Sequence, residues 1–309
     1  MRRAWGGVLV CQGVQGVQGV SVLDSAPRGR YNRQTLGSNT TIQRRIFVTK
    51  LTSVVLVSAL VAAGTVSAQQ KPEPLLQVAV FKTKPGKGAA WVAAMKKLYV
   101  PMLEKLMAEG AVQSYGIESD VLHQAGVPDV SAWFTVPNYT AYDKVSNAIR
   151  EIQASNAPAL QEIADSTDME KHSDYLLRIV SSSQKPVAAS ARPYSTVGSW
   201  QVKRGKGEEF RKGFDKYEKP VLDKLLADGV ILGYMLVTEA VHSAAPGKYW
   251  LSVVTPSLAS EDKIEAAFRA DEAKRSELER AALQREFEEL TEAGSHRDFI
   301  SRAEVFVTK

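Results

Sequence analysis

Four histidines occur in the 309 residues, and two of them stand in the same setting: "HSDYLLR" from His172 and "HRDFISR" from His296. An imidazole two residues from a carboxylate is a pair suited to moving protons. Arg178 and Arg302 close the two phrases, and each could hold the adjacent acid or meet an anionic ligand group. The remaining histidines, His123 and His242, lie beside "AGVPD" and "AAPGK", which read as hairpin turns. Two histidines and a carboxylate also suit a first-row metal, and a lone histidine can ligate haem. No His-rich spacing supports either, so no metal ligand set is assigned and no cofactor is named. The same residues equally fit a structural role, in which Asp174 or Asp298 accepts backbone hydrogen bonds at a helix end and the arginine pairs with it. Phosphate-binding loops, nucleophile elbows and zinc-protease motifs are missing.

The repetition of the phrase belongs to a repetition of the whole chain. Shifted by 119, residues 84–150 fall on residues 203–269 without a gap, with 19 identities in 67 positions. Gly86/Gly205, Pro101/Pro220, Gly110/Gly229, Tyr115/Tyr234, His123/His242 and Pro137/Pro256 are among them. The two phrases align after five further residues in the second copy, so all four histidines fall into two equivalent pairs.

Each copy reads β-α-β-β-α-β. "LQVAVFKT" and "STVGSWQV" are first strands. Trp91, Met95, Leu98, Met102 and Leu106 recur at three- and four-residue spacing, matched by Phe210, Phe214, Tyr217, Val221 and Leu225, as one face of a helix requires. Gly110 and Gly229 suit the left-handed residue that ends a helix. Pro101 and Pro220 stand inside this helix and predict a kink in both copies. "VSAWFTV" and "YWLSVVT" are third strands, closed by Pro137 and Pro256.

This order is that of the ferredoxin-like unit. "KPGKG" after strand one, an aromatic helix with an internal proline, and "EG" or "DG" before strand two resemble the dimeric α+β-barrel superfamily. That group includes antibiotic-biosynthesis-type monooxygenases, NIPSNAP-like proteins and chlorite-dismutase-like haem proteins. The resemblance implies an α+β fold, with tandem repeats over 69–183 and 193–309 joined by a linker at 184–192. Each sheet would have strand order 4-1-3-2, and the chain would form an intramolecular pseudo-dimer closed as one barrel.

Side chains alternate along a strand, so His172, Asp174, Leu176 and Arg178 share one face, and Tyr175, Leu177 and Ile179 the other. The apolar set is expected against the helices and the polar set in the barrel or its mouth. If strand two of one copy abuts strand four of the other, His123 approaches His296 and His242 approaches His172, giving two sites. On this reading His123, His172, Asp174, His242, His296 and Asp298 are the candidate catalytic residues. Tyr115, Trp133, Tyr234 and Trp250 line an apolar pocket, with Arg178 and Arg302 at its edge. The expected occupant is a small apolar or aromatic molecule, and the expected function is small-molecule binding, monooxygenase-like if catalytic. A non-catalytic exported binding module, and a haem or metal protein, are the alternatives. The stretch "ADEAKRSELERAALQREFEEL" fits a solvated helix face.

Composition bounds the partners. Of 39 Lys/Arg and 34 Asp/Glu, eight and one fall in residues 1–68, leaving 31 basic and 33 acidic residues beyond. No basic face remains for nucleic acid. From Arg44 the chain reads as a basic region, a short apolar run, and Val66 and Ala68 three and one positions before an expected cut. That is the layout of an export signal over 44–68, which predicts a periplasmic or extracellular protein with no membrane anchor after cleavage. "RRIFVTK" also loosely matches a twin-arginine signal. Residues 1–43 are expected to be a non-native or disordered extension. They hold the only cysteine, Cys11, so no thiol chemistry is expected beyond it. Further association of the fused pseudo-dimer stays open.

Overall fold

The computed structural model describes residues 73–122, 127–188, 190–242 and 246–309. The first copy runs β1 (Leu75–Thr83), α1 (Gly88–Ala108), β2 (Ser114–Asp120), β3 (Val130–Val136), α2 (Tyr139–Ser155), α3 (Ala157–Ser166) and β4 (Thr167–Gln184). The second runs β5 (Tyr194–Gln201), α4 (Gly207–Gly213), a π-helical turn (Phe214–Glu218), α5 (Lys219–Ala227), β6 (Gly233–Glu239), β7 (Lys248–Thr255), α6 (Ser260–Glu272), α7 (Glu277–Leu290) and β8 (Arg297–Thr308). All eight strands join in one closed barrel in the order β1-β3-β2-β8-β5-β7-β6-β4. Each copy contributes its four strands in the order 4-1-3-2. The seams are β2 with β8 and β4 with β6, both antiparallel. Closure leaves no exposed sheet edge.

Helices cover the outside of each half-barrel. Trp91, Met95 and Leu98 of α1 pack with Phe81 and Ile117, and Met102 and Leu106 with Leu75 and Phe134. In the second copy Phe210, Phe214, Leu222 and Leu225 pack with Trp200, Leu236 and Leu251. Burying each of these large side chains contributes about 1.5–3 kcal/mol. Gly110 and Gly229 have φ of 76° and 72°, the left-handed conformation that ends α1 and α5. Asn138 caps α2 by accepting from the Ala141 amide, 2.9 Å, and Ser276 and Glu279 form a capping box on α7.

The two copies of the proline-bearing helix differ: α1 is α-helical through Pro101, whereas in the equivalent helix a π-helical turn lies between α4 and α5, with Pro220 in the first turn of α5. Proline lacks a donor and is tolerated in a first turn. The faces of strand four are the reverse of those predicted. Leu177 and Ile179 point into the barrel with Val237, packed against Leu76, Val78 and Tyr175, and the polar set faces the helix side. Both faces of this sheet are buried, so apolar character does not say which face meets the helices.

Candidate active site

The reversal places the histidine phrase in a cleft between the first sheet and its helices, with a volume of about 1000 Å³. Met95 and Met102 of α1, Tyr142 of α2 and Ile163 of α3 form its outer wall, and Phe81, Ala79 and Gln77 of β1 form its floor. His172 lies within β4, not ahead of it, and stacks on Phe81 at 4.3 Å and 10°. Its Nε2 is 3.4 Å from an Asp174 carboxylate oxygen. The ring is held by stacking more than by this contact, because Nε2 makes no hydrogen bond. The Tyr142 hydroxyl donates to Gln77 Oε1 at 3.0 Å, which turns the Gln77 amide nitrogen toward Asp174, 3.3 Å away. Tyr142, Gln77, Asp174 and His172 thus form a polar row along a mainly apolar cleft, which Arg150, Gln153, Glu239 and His242 also line. On the helix side Tyr99 accepts a hydrogen bond from Gln153, 3.2 Å. Burial raises its pKa, the charge of Asp174 adds to the rise, and the bond from Gln153 opposes it.

The second repeat reaches into this cleft. Glu239 of β6 and Val241 and His242 after it border the same space as His172, because β6 lies beside β4 at the seam. His123 lies outside the described residues.

The second copy does not build the same site. His296 stacks on Trp200, the partner of Phe81, at 5.0 Å and 11°, and lies 3.1 Å from Asp298. There the indole fills the interface, meeting Phe210 and Phe287 at 6.1 and 6.4 Å. Tyr142 and Gln77 are replaced by Glu261 and Thr196, whose hydroxyl donates to Glu261 at 2.8 Å. Tyr99 is replaced by Glu218, 6% exposed. Burial pushes Glu218 up to about 7, and the nearby His296 pulls it back only in part. Two equivalent sites were expected; the copies have diverged.

The aromatic residues expected to line the pocket are split between compartments. Trp133 and Trp250 line the barrel interior, a separate cavity of about 310 Å³. Tyr115 packs outside with Met102 and Leu106, and burial, with Glu104 nearby, raises its hydroxyl pKa to about 12. The Tyr234 ring joins the second helix-side core, and its hydroxyl donates to Asp223 at 2.6 Å. The arginines are outside as well. Arg178 pairs with Glu73 at 3.1 Å, and Arg302 lies 5.8 Å from the Tyr194 ring.

Among the described residues, no three His, Cys, Asp or Glu side chains converge to hold a metal ion. Sequence reasoning missed Gln77, Tyr142 and the acid Glu118 inside the barrel. Glu118 had a signal: the repeat alignment sets a charge against Val237.

The fold defines the class: one chain supplies both halves of a dimeric α+β barrel. No family model and no curated protein matches the sequence. Among solved structures, a provisionally assigned monooxygenase from Fusobacterium nucleatum is similar at 12% identity, TM-score 0.54, over 77% of this chain and 95% of that one. Another, from Lactobacillus acidophilus, is similar at 14% identity, TM-score 0.52, over 76% and 96%. At these identities the likeness is one of fold.

Proposed function

We propose that this protein binds a small, mainly apolar molecule in the first-repeat cleft and acts on it as a monooxygenase-like enzyme. One observation carries the reading: a roomy apolar cleft ends on the oriented row Tyr142–Gln77–Asp174–His172. Small-molecule sites have this character, apolar walls with a few placed polar groups. Asp174 is the proton acceptor, Gln77 and Tyr142 fix its orientation, and His172 supplies a second proton-handling group beside it. A substrate whose methylene lies between aromatic rings conjugated to a carbonyl, as in an anthrone, would lose a proton to Asp174 and react with O₂. The methylene becomes a carbonyl, one O₂ is consumed and one water is released, so the substrate itself supplies all the electrons.

Oxygen uptake with 1,8-dihydroxyanthrone as probe, against heat-denatured protein as background, tests this. Uptake above background that falls in Asp174→Asn supports the enzyme. Saturable binding with uptake at background would assign a non-catalytic binding module instead. We also propose export through residues 44–68. A mature N-terminal peptide starting at Gln69 in the exported fraction is the expected result, and retention of an uncleaved chain in the cytoplasm would overturn it.

A further inference from the structure

The interior of the barrel has two unlike walls. On one, the buried carboxylate of Glu118 collects three donors: Trp133 Nε1 and Ser195 Oγ each donate to Oε1 at 3.0 Å, and Ser301 Oγ donates to Oε2. Glu118 and Trp133 come from the first repeat, Ser195 and Ser301 from the second. The repeat-related positions are Val237, Ser252, Leu76 and Leu177, and the strand register agrees: Ser195 pairs with Ser301 as Leu76 pairs with Leu177. Three of those four build the opposite wall, where Val237 and Leu177 pack with Leu76, Tyr175 and Trp250. The two copies share one sheet architecture but line the lumen differently on its two sides.

Glu118 is 7% exposed and borders the cavity, yet its three hydrogen-bond partners are all neutral. Among the described residues it makes no ion pair. A carboxylate has about four acceptor positions, so one remains for a further donor. Burying an acid without a counter-charge is costly, and the open space beside Glu118 is where a counter-charge would fit. Asp120, two residues along the same face, borders the cavity toward its mouth. Burial, then the charges of Glu118 and Asp129, pushes it up to about 7. Of the cations at that end, Lys82 pairs with Asp129 at 3.1 Å and is electrostatically coupled to Asp120, and Lys248 lies 5.2 Å over the Trp250 ring and is coupled to Glu239.

We propose that the barrel interior is a second binding site, for a small amine whose ammonium group donates to Glu118 and whose apolar body lies against Val237, Leu177 and Trp250. A volume of about 310 Å³ is at the lower end for small-molecule sites, which points to a single-ring body. This site lies on the other face of the sheet from the outer cleft, with the strand residues Trp133, Tyr175 and Leu177 bordering both.

Titration of the purified protein with 2-phenylethylamine, followed by tryptophan emission, is the test, with phenylacetate and 2-phenylethanol as isosteric acid and alcohol. The amine should saturate, and both analogues should bind roughly tenfold or more weakly, the worth of one charge-assisted hydrogen bond. Glu118→Gln should erase that preference, while Asp174→Asn in the outer cleft should leave it intact. Equal binding of the acid or the alcohol, or no saturation by any of the three up to about 10 mM, would overturn the proposal. So would unchanged amine affinity in a folded Glu118→Gln protein. The comparison among the three probes needs no variant and stands even if Glu118→Gln fails to fold.

Discussion

Replacing Gly116 by alanine probes the packing that holds the interior wall together. Gly116 sits directly across from Trp133 in the β2–β3 ladder, and the indole lies over it. A Cβ built there would come within 2.6 Å of Trp133 Cε2 and Cζ2 and 2.8 Å of Nε1, closer than real Cβ contacts allow. Either the indole slides away and loses its bond to Glu118, about 1.5–3 kcal/mol for a bond to a charged group, or the strands spread, an overpacking cost of about 1–3 kcal/mol. The expected loss is therefore about 2–3 kcal/mol, read from urea unfolding followed by far-UV circular dichroism. In an open strand position the same change would stabilise by about 0.5–1 kcal/mol, so even the sign is informative. The second copy suggests a control, because it has Met235 and Ser252 at these two positions. In a Trp133→Ser background the clash is gone, and Gly116→Ala should become neutral or stabilising, a non-additivity typical of touching residues. A Gly116→Ala protein as stable as the parent, or the same loss in both backgrounds, would refute the reasoning.

Further outcomes follow from single features. Tyr142→Phe removes the donor that orients Gln77 and should lower turnover or ligand affinity several-fold while changing stability by no more than about 1 kcal/mol, measured by oxygen uptake beside a urea melt. Asp120 has a folded pKa of about 7, raised by burial from 3.8. The native state thus binds more protons than the unfolded state between about pH 4 and 7, and stability should fall as pH rises through that window. Asp120→Asn should flatten that part of the stability–pH curve, and a slope unchanged by the substitution would show that other groups set it. Trp200→Ala, which opens the aromatic cluster around His296, should cost about 3–5 kcal/mol. Ser276→Ala should cost about 1 kcal/mol through the lost cap.

The duplication made much of the architecture readable. Aligning residues 84–150 on 203–269 reveals the doubled unit, the strand order and the two seams were implied by its resemblance to a dimeric α+β barrel, and β3 has the limits its pattern predicts, Val130–Val136. What could not be read was the side of the sheet on which chemistry falls. Tyr175, Leu177 and Ile179 are apolar, as is the helix-side floor of Ala79 and Phe81, so alternation fixed which residues share a face but not where that face points. The Glu118 cluster was hidden for a different reason. Its serine partners lie 77 and 183 residues away and meet it only when the barrel closes. The π turn at Phe214–Glu218 was also illegible, since the aligned helix carries a proline at the same position and stays regular.

A barrel assembled from two identical chains must place every interior residue twice, related by the twofold axis. A single acid on such a wall would face its own copy across the lumen, and the two like charges would repel in a space with little water to screen them. Joining the halves in one chain lifts that constraint. Position 118 can hold a carboxylate while position 237 holds a valine, so the lumen has a direction. It can therefore distinguish the two ends of an unsymmetrical guest.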